Sequence, residues 1–216
     1  MKPRPLLLGH RGARADKSVP ENTTASFDLA LAAGCDGFEF DVRLTADGQA
    51  VICHDAEICG MEIARSSAQQ LPVSLLRDIL IRYQRSAFLD IELKVPGLEA
   101  ITASLLREFT PARGFVVSSF LPKELESLHE LEPSMKLGLI CETRPQFRRW
   151  TTLPIAYVIP HHKLLREESV KEIKAAGKQI LVWTVNTAVD MKRFSEWGVE
   201  GIISDYPARL VSALTG

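Results

Sequence analysis

Short apolar runs alternate with segments of helical periodicity along almost the whole chain. Residues 5–9 (PLLLG) predict a strand, and 22–33 (NTTASFDLALAA) a helix capped by Asn22 or Thr23 and ended by Gly34. Strand signals recur at 37–42, 87–94, 114–118, 136–140, 155–159, 179–185 and 200–204. Helical signals stand between and after them, at 74–84 (opened by Ser74), 97–109, 122–131, 144–150, 166–176, 187–197 and 207–214.

One apolar run breaks the order. AVICH at 50–54 follows the second strand too closely for a parallel crossover, which needs about a dozen residues. Asp47-Gly48 is a strong hairpin signal, so this run is expected to fold back as a small antiparallel ribbon on the extension of strand two. Without it, eight strand–helix units remain. Strict βα alternation predicts a parallel sheet, and eight units predict its closure into a (β/α)8 TIM barrel of the α/β class. An open doubly wound sheet leaves the number eight unexplained and lacks its G-x-G-x-x-G turn. No linker or repeat divides residues 1–216, so a single domain is expected.

Composition narrows the class of partner. The 26 basic and 27 acidic residues leave a formal net charge of -1, with no basic excess to suggest a nucleic-acid partner. No apolar run is long enough for a transmembrane segment, and the three leucines after MKPRP are too few for a secretory leader. Cys35, Cys53, Cys59 and Cys141 show no metal-binding spacing. Free thiols in a cytoplasmic protein are the expectation, and the oligomeric state stays open.

Barrel chemistry sits at the carboxyl ends of the strands. There the first strand ends in Gly9-His10-Arg11-Gly12, and the second carries Glu39 and Asp41. The ribbon ends in His54-Asp55, and the third barrel strand carries Asp90, Glu92 and Lys94. Side chains alternate along a strand, so Glu39 and Asp41 share the face opposite Phe38 and Phe40, about 6.6 Å apart. Asp90, Glu92 and Lys94 likewise oppose Leu89, Ile91 and Leu93. Charges facing an interior require partners or a metal. Each piece has a plainer reading: a salt-bridged E-x-D pair, a structural histidine, a turn at His-Arg-Gly, a lysine reaching to the rim. Their arrival at consecutive strand ends is what points to a site. All-oxygen ligands favour Mg2+, Ca2+ or Mn2+ over zinc. A cation with Arg11 and Lys94 suits a phosphate diester, and two histidines suit general acid–base work near neutrality.

The motifs H-R-G, P-E-N-T, E-x-D-V, T-x-D-G and H-D within residues 9–58 resemble those of the glycerophosphodiester phosphodiesterase family. IELK at 91–94, SSF at 118–120, VWTVN at 182–186 and GIISDYP at 201–207 continue the likeness in order. The resemblance implies a TIM barrel that hydrolyses small-molecule glycerophosphodiesters to glycerol 3-phosphate and an alcohol with a divalent cation. It implies Glu39, Asp41 and Glu92 as metal ligands, His10 and His54 as the acid–base pair, and Arg11 and Lys94 as phosphate-binding residues. Glu21, in P-E-N-T, would orient Arg11 or a histidine, or else serve the helix dipole. Trp183 would lie against the glycerol or alcohol, or else fill a barrel layer.

Residues 56–73, between His54-Asp55 and Ser74, are short where many family members carry a longer insertion. A small or absent cap is expected, with a more open mouth. That favours bulkier diesters and a lysophospholipase D-like alternative, for which Ile58, Met61 and Ile63 would supply an apolar entrance unless they form local core. A non-catalytic phosphodiester-binding barrel is the remaining alternative.

Overall fold

The computed structural model describes residues 4–215. Its barrel strands are β1 (Leu6–His10), β2 (Gly37–Leu44), β6 (Phe88–Leu93), β7 (Phe115–Ser119), β8 (Leu137–Cys141), β9 (Tyr157–Pro160), β10 (Gln179–Val182) and β11 (Gly201–Ser204). They pair in parallel in that order, and β11 pairs with β1 to close the ring. Helices follow as α1 (Thr24–Ala32), α2 (Leu76–Tyr83), α3 (Glu99–Glu108), α4 (Pro122–Leu131), α5 (Arg144–Arg148), α6 (Glu167–Ala175), α7 (Ala188–Trp197) and α8 (Pro207–Thr215). The alternation therefore closes as the TIM barrel that eight units predict.

The predicted ribbon is present. β3 (Ala50–Ile52) runs antiparallel to the end of β2, with Val42 opposite Ile52 and Leu44 opposite Ala50. Residues beyond it form a further hairpin, β4 (Glu57–Ile58) and β5 (Met61–Glu62), then single 3-10 turns at Ile63–Arg65 and Ala68–Gln70. Ile63 and Leu71 are buried against Val51 and Cys53, and Ile58 and Met61 pack onto this cluster. The local-core reading of these apolar residues thus describes the short segment.

One helix start takes one of its two expected caps, and another differs from expectation. Thr23, not Asn22, caps α1, its hydroxyl accepting from the backbone N–H of Ser26. Asn22 is instead turned inward to Asp41. Ser74 does not cap α2, which begins after Leu75 without a side-chain cap. The Ser74 carbonyl accepts from Ile52 N–H, so β3 has recruited that backbone.

The alternation on β2 sorts apolar from charged residues as the pattern requires. Phe38 and Phe40 face the helix layer, where Phe38 stacks on Phe27 of α1 at 4.2 Å and meets Tyr83 of α2 edge-on at 4.9 Å. Phe38 is fully buried. Phe38→Ala is expected to cost about 3–5 kcal/mol of stability, read by denaturant unfolding. A loss below about 1 kcal/mol would mean that the layer repacks freely. Inside the barrel, Leu8, Phe88, Val116, Tyr157, Leu181 and Ile203 fill the lower part. The polar residues stand above this plug. No helix among the described residues is long and apolar enough to cross a membrane.

Candidate active site at the carboxyl ends of the strands

Strand register builds the centre of the site. His10 pairs in register with Glu39, Glu39 with Asp90, and Asp41 with Glu92. Adjacent parallel strands thus set carboxylates side by side. One oxygen from each of Glu39, Asp41 and Glu92 lies within 4.8 Å of the others, and all three residues are buried.

The sharp turn after β1 folds over this group. Arg11 has φ 49 and Gly12 φ 82, both in the left-handed region. A Cβ on Gly12 would fall 2.5 Å from backbone and hydroxyl atoms of Ser26, so only glycine fits. The turn aims the Arg11 N–H at Glu39 Oε2, 3.0 Å away. The Arg11 side chain donates Nη1 to Glu21 Oε1 at 2.6 Å and sets Nε 3.1 Å from Asp41 Oδ2. Glu21 also accepts from Arg14 Nε at 3.0 Å. Glu21 therefore holds Arg11, just ahead of an α1 that has no acidic residue in its own first turn.

Asn22, itself at φ 58, donates Nδ2 to Asp41 Oδ2 at 2.8 Å and accepts from the Asp41 N–H at 3.2 Å. Lys94 Nζ lies 2.7 Å from Glu92 Oε1 and 3.3 Å from Asp41 Oδ1. Glu39 Oε1 is buried with no hydrogen-bond partner.

These surroundings set the charges. Burial, then Asp41 and Glu92 nearby, push the Glu39 carboxyl well above its usual range. Burial, then Asp41, push Glu92 up to about 8 despite Lys94. Burial likewise raises Asp41, but Lys94, Arg11 and the Asn22 hydrogen bond outweigh it and hold Asp41 below the usual value. Burial takes Asp90, beneath the trio, to about 7. A buried oxygen cluster that repels its own charge, with an orphaned carboxylate oxygen inside it, fits a hard divalent cation.

His10 and His54 approach the centre from different depths. His10 is buried, with Nδ1 2.7 Å from Asp205 Oδ1 and Nε2 3.8 Å from Glu39 Oε2. Asp205 also accepts from Asn186 Nδ2 at 2.7 Å. Although burial opposes it, the hydrogen bond from His10 leads the partners that hold Asp205 at about 2. An ionised Asp205 is an obligate acceptor, so His10 carries its proton on Nδ1 and turns a bare Nε2 to the cavity. Burial, only partly offset by Asp205, lowers the His10 pKa and keeps it neutral. His54 stands just beyond β3 at the rim, its Nδ1 2.7 Å from Asp55 Oδ1.

The centre opens on one cavity of about 260 Å³. His10, Arg11, Glu39, His54, Glu92 and Lys94 line it, and Trp183 closes the far wall beside Phe120. Trp183 donates Nε1 to the Ile159 carbonyl at 2.9 Å, which fixes its ring. Asp41 and Glu21 stand behind the lining. Asp205 and Asn186 had no role in the sequence reading, and Asn22 only that of a candidate helix cap, although all three stand in its quoted motifs. Inspecting the carboxyl end of β11 as well as the first strand ends would have found Asp205. The four cysteines are free, three buried and Cys59 exposed.

A carboxylate trio that could hold a cation, flanked by two cationic side chains, suits an anionic ester, and this places the protein among phosphodiester hydrolases built on a TIM barrel. More particularly, the chain belongs to the glycerophosphoryl diester phosphodiesterase family, whose model matches residues 10–104 and 89–209. It is 30% identical to a glycerophosphodiester phosphodiesterase of Bacillus altitudinis, over 95% of this chain and 96% of that one. A glycerophosphodiester phosphodiesterase of Caldanaerobacter subterraneus subsp. tengcongensis is 27% identical, over 96% of each chain. Among solved structures, an Oleispira antarctica phosphodiesterase in complex with the product sn-glycerol-3-phosphate superposes with a TM-score of 0.85 at 26% identity, covering 99% of this chain and 98% of that one. The chain is thus an enzyme of the glycerophosphodiester phosphodiesterase class.

Proposed function

We propose that this enzyme cleaves a glycerophosphodiester to glycerol 3-phosphate and an alcohol, with a divalent cation on Glu39, Asp41 and Glu92. The buried carboxylate trio beside Arg11 and Lys94 carries the reading. Mg2+ or Ca2+ suits the all-oxygen donors, with Mn2+ a further fit. When bound, the cation polarises the phosphoryl oxygens. Arg11 is held by Glu21 and Asp41 so that its remaining N–H groups face the cavity for a non-bridging oxygen. Lys94 supplies a second positive charge where negative charge develops at phosphorus.

His10, neutral and anchored on Asp205, takes the proton of the attacking hydroxyl at Nε2. His54 sits at the rim, where the alcohol departs, and gives its proton to the leaving oxygen. The nucleophile is water or the glycerol 2-hydroxyl. The second route leaves a cyclic phosphate that phosphorus NMR would detect.

The deciding experiment is release of glycerol 3-phosphate from glycerophosphocholine by purified protein, with EDTA and with added Mg2+ or Ca2+. Cation-dependent release is expected. No release from any glycerophosphodiester with any cation would favour a non-catalytic barrel. A lysophospholipase D-like reaction is favoured by one observation. A groove of about 720 Å³ shares His54 with the reaction cavity and is lined in part by Ile58, Leu71, Pro72 and Val73. Choline release from lysophosphatidylcholine tests it, and strict rejection of every lysophospholipid would exclude it.

A further inference from the structure

The chain leaving the turn at Arg11 and Gly12 is fixed on both sides of Arg14. The Ala13 N–H donates to the Ser26 hydroxyl of α1 at 2.8 Å. The Ala15 N–H donates to the Asp205 carbonyl, just beyond β11, at 3.1 Å. Arg14 is partly exposed, but its backbone is pinned between α1 and the end of β11. That lowers the entropy cost of holding its side chain in one geometry.

The Arg14 guanidinium spans two carboxylates. Its Nε donates to Glu21 Oε2 at 3.0 Å, and its Nη1 donates to Asp205 Oδ1 at 3.4 Å. Each carboxylate also holds a residue of the site. Glu21 accepts from Arg11 Nη1 on its other oxygen, Oε1, at 2.6 Å. Asp205 Oδ1 accepts from His10 Nδ1 at 2.7 Å. Arg11 and His10 line the reaction cavity, and Arg14 does not. Of the two acids, Arg11 pairs with Glu21 and His10 with Asp205, whereas Arg14 pairs with both.

We propose that Arg14 is a positioning residue that braces phosphate binding and proton transfer together, through Glu21 to Arg11 and through Asp205 to His10. The inference rests on the phosphodiesterase reading above and deepens it. A guanidinium presents its donors as a rigid planar fork, so one side chain fixes the two acids relative to each other. Without it, Glu21 keeps only Arg11 and swings with it. Asp205 keeps Asn186 on Oδ2, but the oxygen that holds His10 loses its second donor.

Steady-state kinetics on glycerophosphocholine, arranged as double-mutant cycles, test the brace. Arg14→Ala is expected to lower kcat about three- to fivefold and to raise KM about three- to fivefold, the scale of one partly exposed charge contact on each arm. A merely structural role would reduce the amount of active enzyme and leave KM unmoved. In a Glu21→Ala background, Arg14→Ala is expected to bring no further rise in KM. In an Asp205→Asn background, it is expected to bring no further fall in kcat. Arg14→Lys keeps the charge but presents its donors from one nitrogen, and is expected to recover less than half of the loss in kcat/KM. Unchanged kinetics in Arg14→Ala, a full effect persisting in either background, or complete recovery in Arg14→Lys would overturn the brace and leave the phosphodiesterase reading intact. Failure of the wild-type enzyme to turn over any glycerophosphodiester would overturn that reading and the brace with it.

Discussion

Replacing His10 by Ala is expected to lower kcat/KM by about 10²- to 10⁴-fold, the range of a lost general acid–base contribution. The loss should fall on kcat. The His10 ring reaches toward the reacting groups through Nε2 and is held from behind by Asp205, whereas Arg11 and Lys94 carry the phosphate binding in the proposed mechanism. Asp205→Asn separates the proton from the ring. An amide that donates to Nδ1 would move the imidazole proton to Nε2 and cover the lone pair turned to the cavity. A loss of about 10²-fold or more in kcat, with KM little changed, is expected. Steady-state kinetics and circular dichroism of both variants decide the matter. Near-normal turnover in folded His10→Ala would remove it from proton transfer, and a purely KM effect of Asp205→Asn would make Asp205 a binding residue.

Divalent cation is expected to stabilise the protein far more at pH 8 than at pH 5.5. Glu92 titrates at about 8 and Glu39 well above its usual range in the folded protein, against about 4.5 for an unperturbed glutamate. Between those values the folded state binds more protons than the unfolded chain. By linkage, cation-free stability then falls as the pH rises from about 4.5 through about 8. Cation binding needs the same carboxylates ionised, so protons compete with it at the low end. At a cation concentration about 100-fold above Kd, stabilisation of about 2.7 kcal/mol corresponds to a Tm increase of roughly 5–11 °C. Thermal melts in EDTA and in Mg2+ or Ca2+ at the two pH values test this. Glu39→Gln should lose most of the pH-8 increase. Equal increments at both pH values would show that the trio does not hold the ion.

Local pattern determined much of this protein. Period-two alternation on β2 and β6 sends Phe38, Phe40, Leu89 and Ile91 toward the helices and leaves Glu39, Asp41, Asp90 and Glu92 inside. Eight strand–helix units and the Asp47-Gly48 turn predict the closed barrel and its side ribbon, because turn chemistry and crossover length are local constraints. The motifs around His10, Glu39, His54 and Glu92 make the candidate centre legible in the sequence alone.

Tertiary structure decided how those groups work together. Asp205 lies 195 residues from His10 and meets it only because β11 closes onto β1. Asn22 reads locally as a helix cap, yet Thr23 takes that place and frees Asn22 for Asp41. Glu21 has equally plausible local duties, and only the positive-φ turn at Arg11 puts a guanidinium within its reach. The packing of Ile63 and Leu71 on Val51 depends on how residues 56–73 fold back over β3. Trp183 and Glu142 become parts of one wall because successive strands of a closed ring bring distant positions to a common mouth. Sequence periodicity selects the face of each strand, but ring closure selects which faces meet, and the interactions that set charge and proton position are made across that ring.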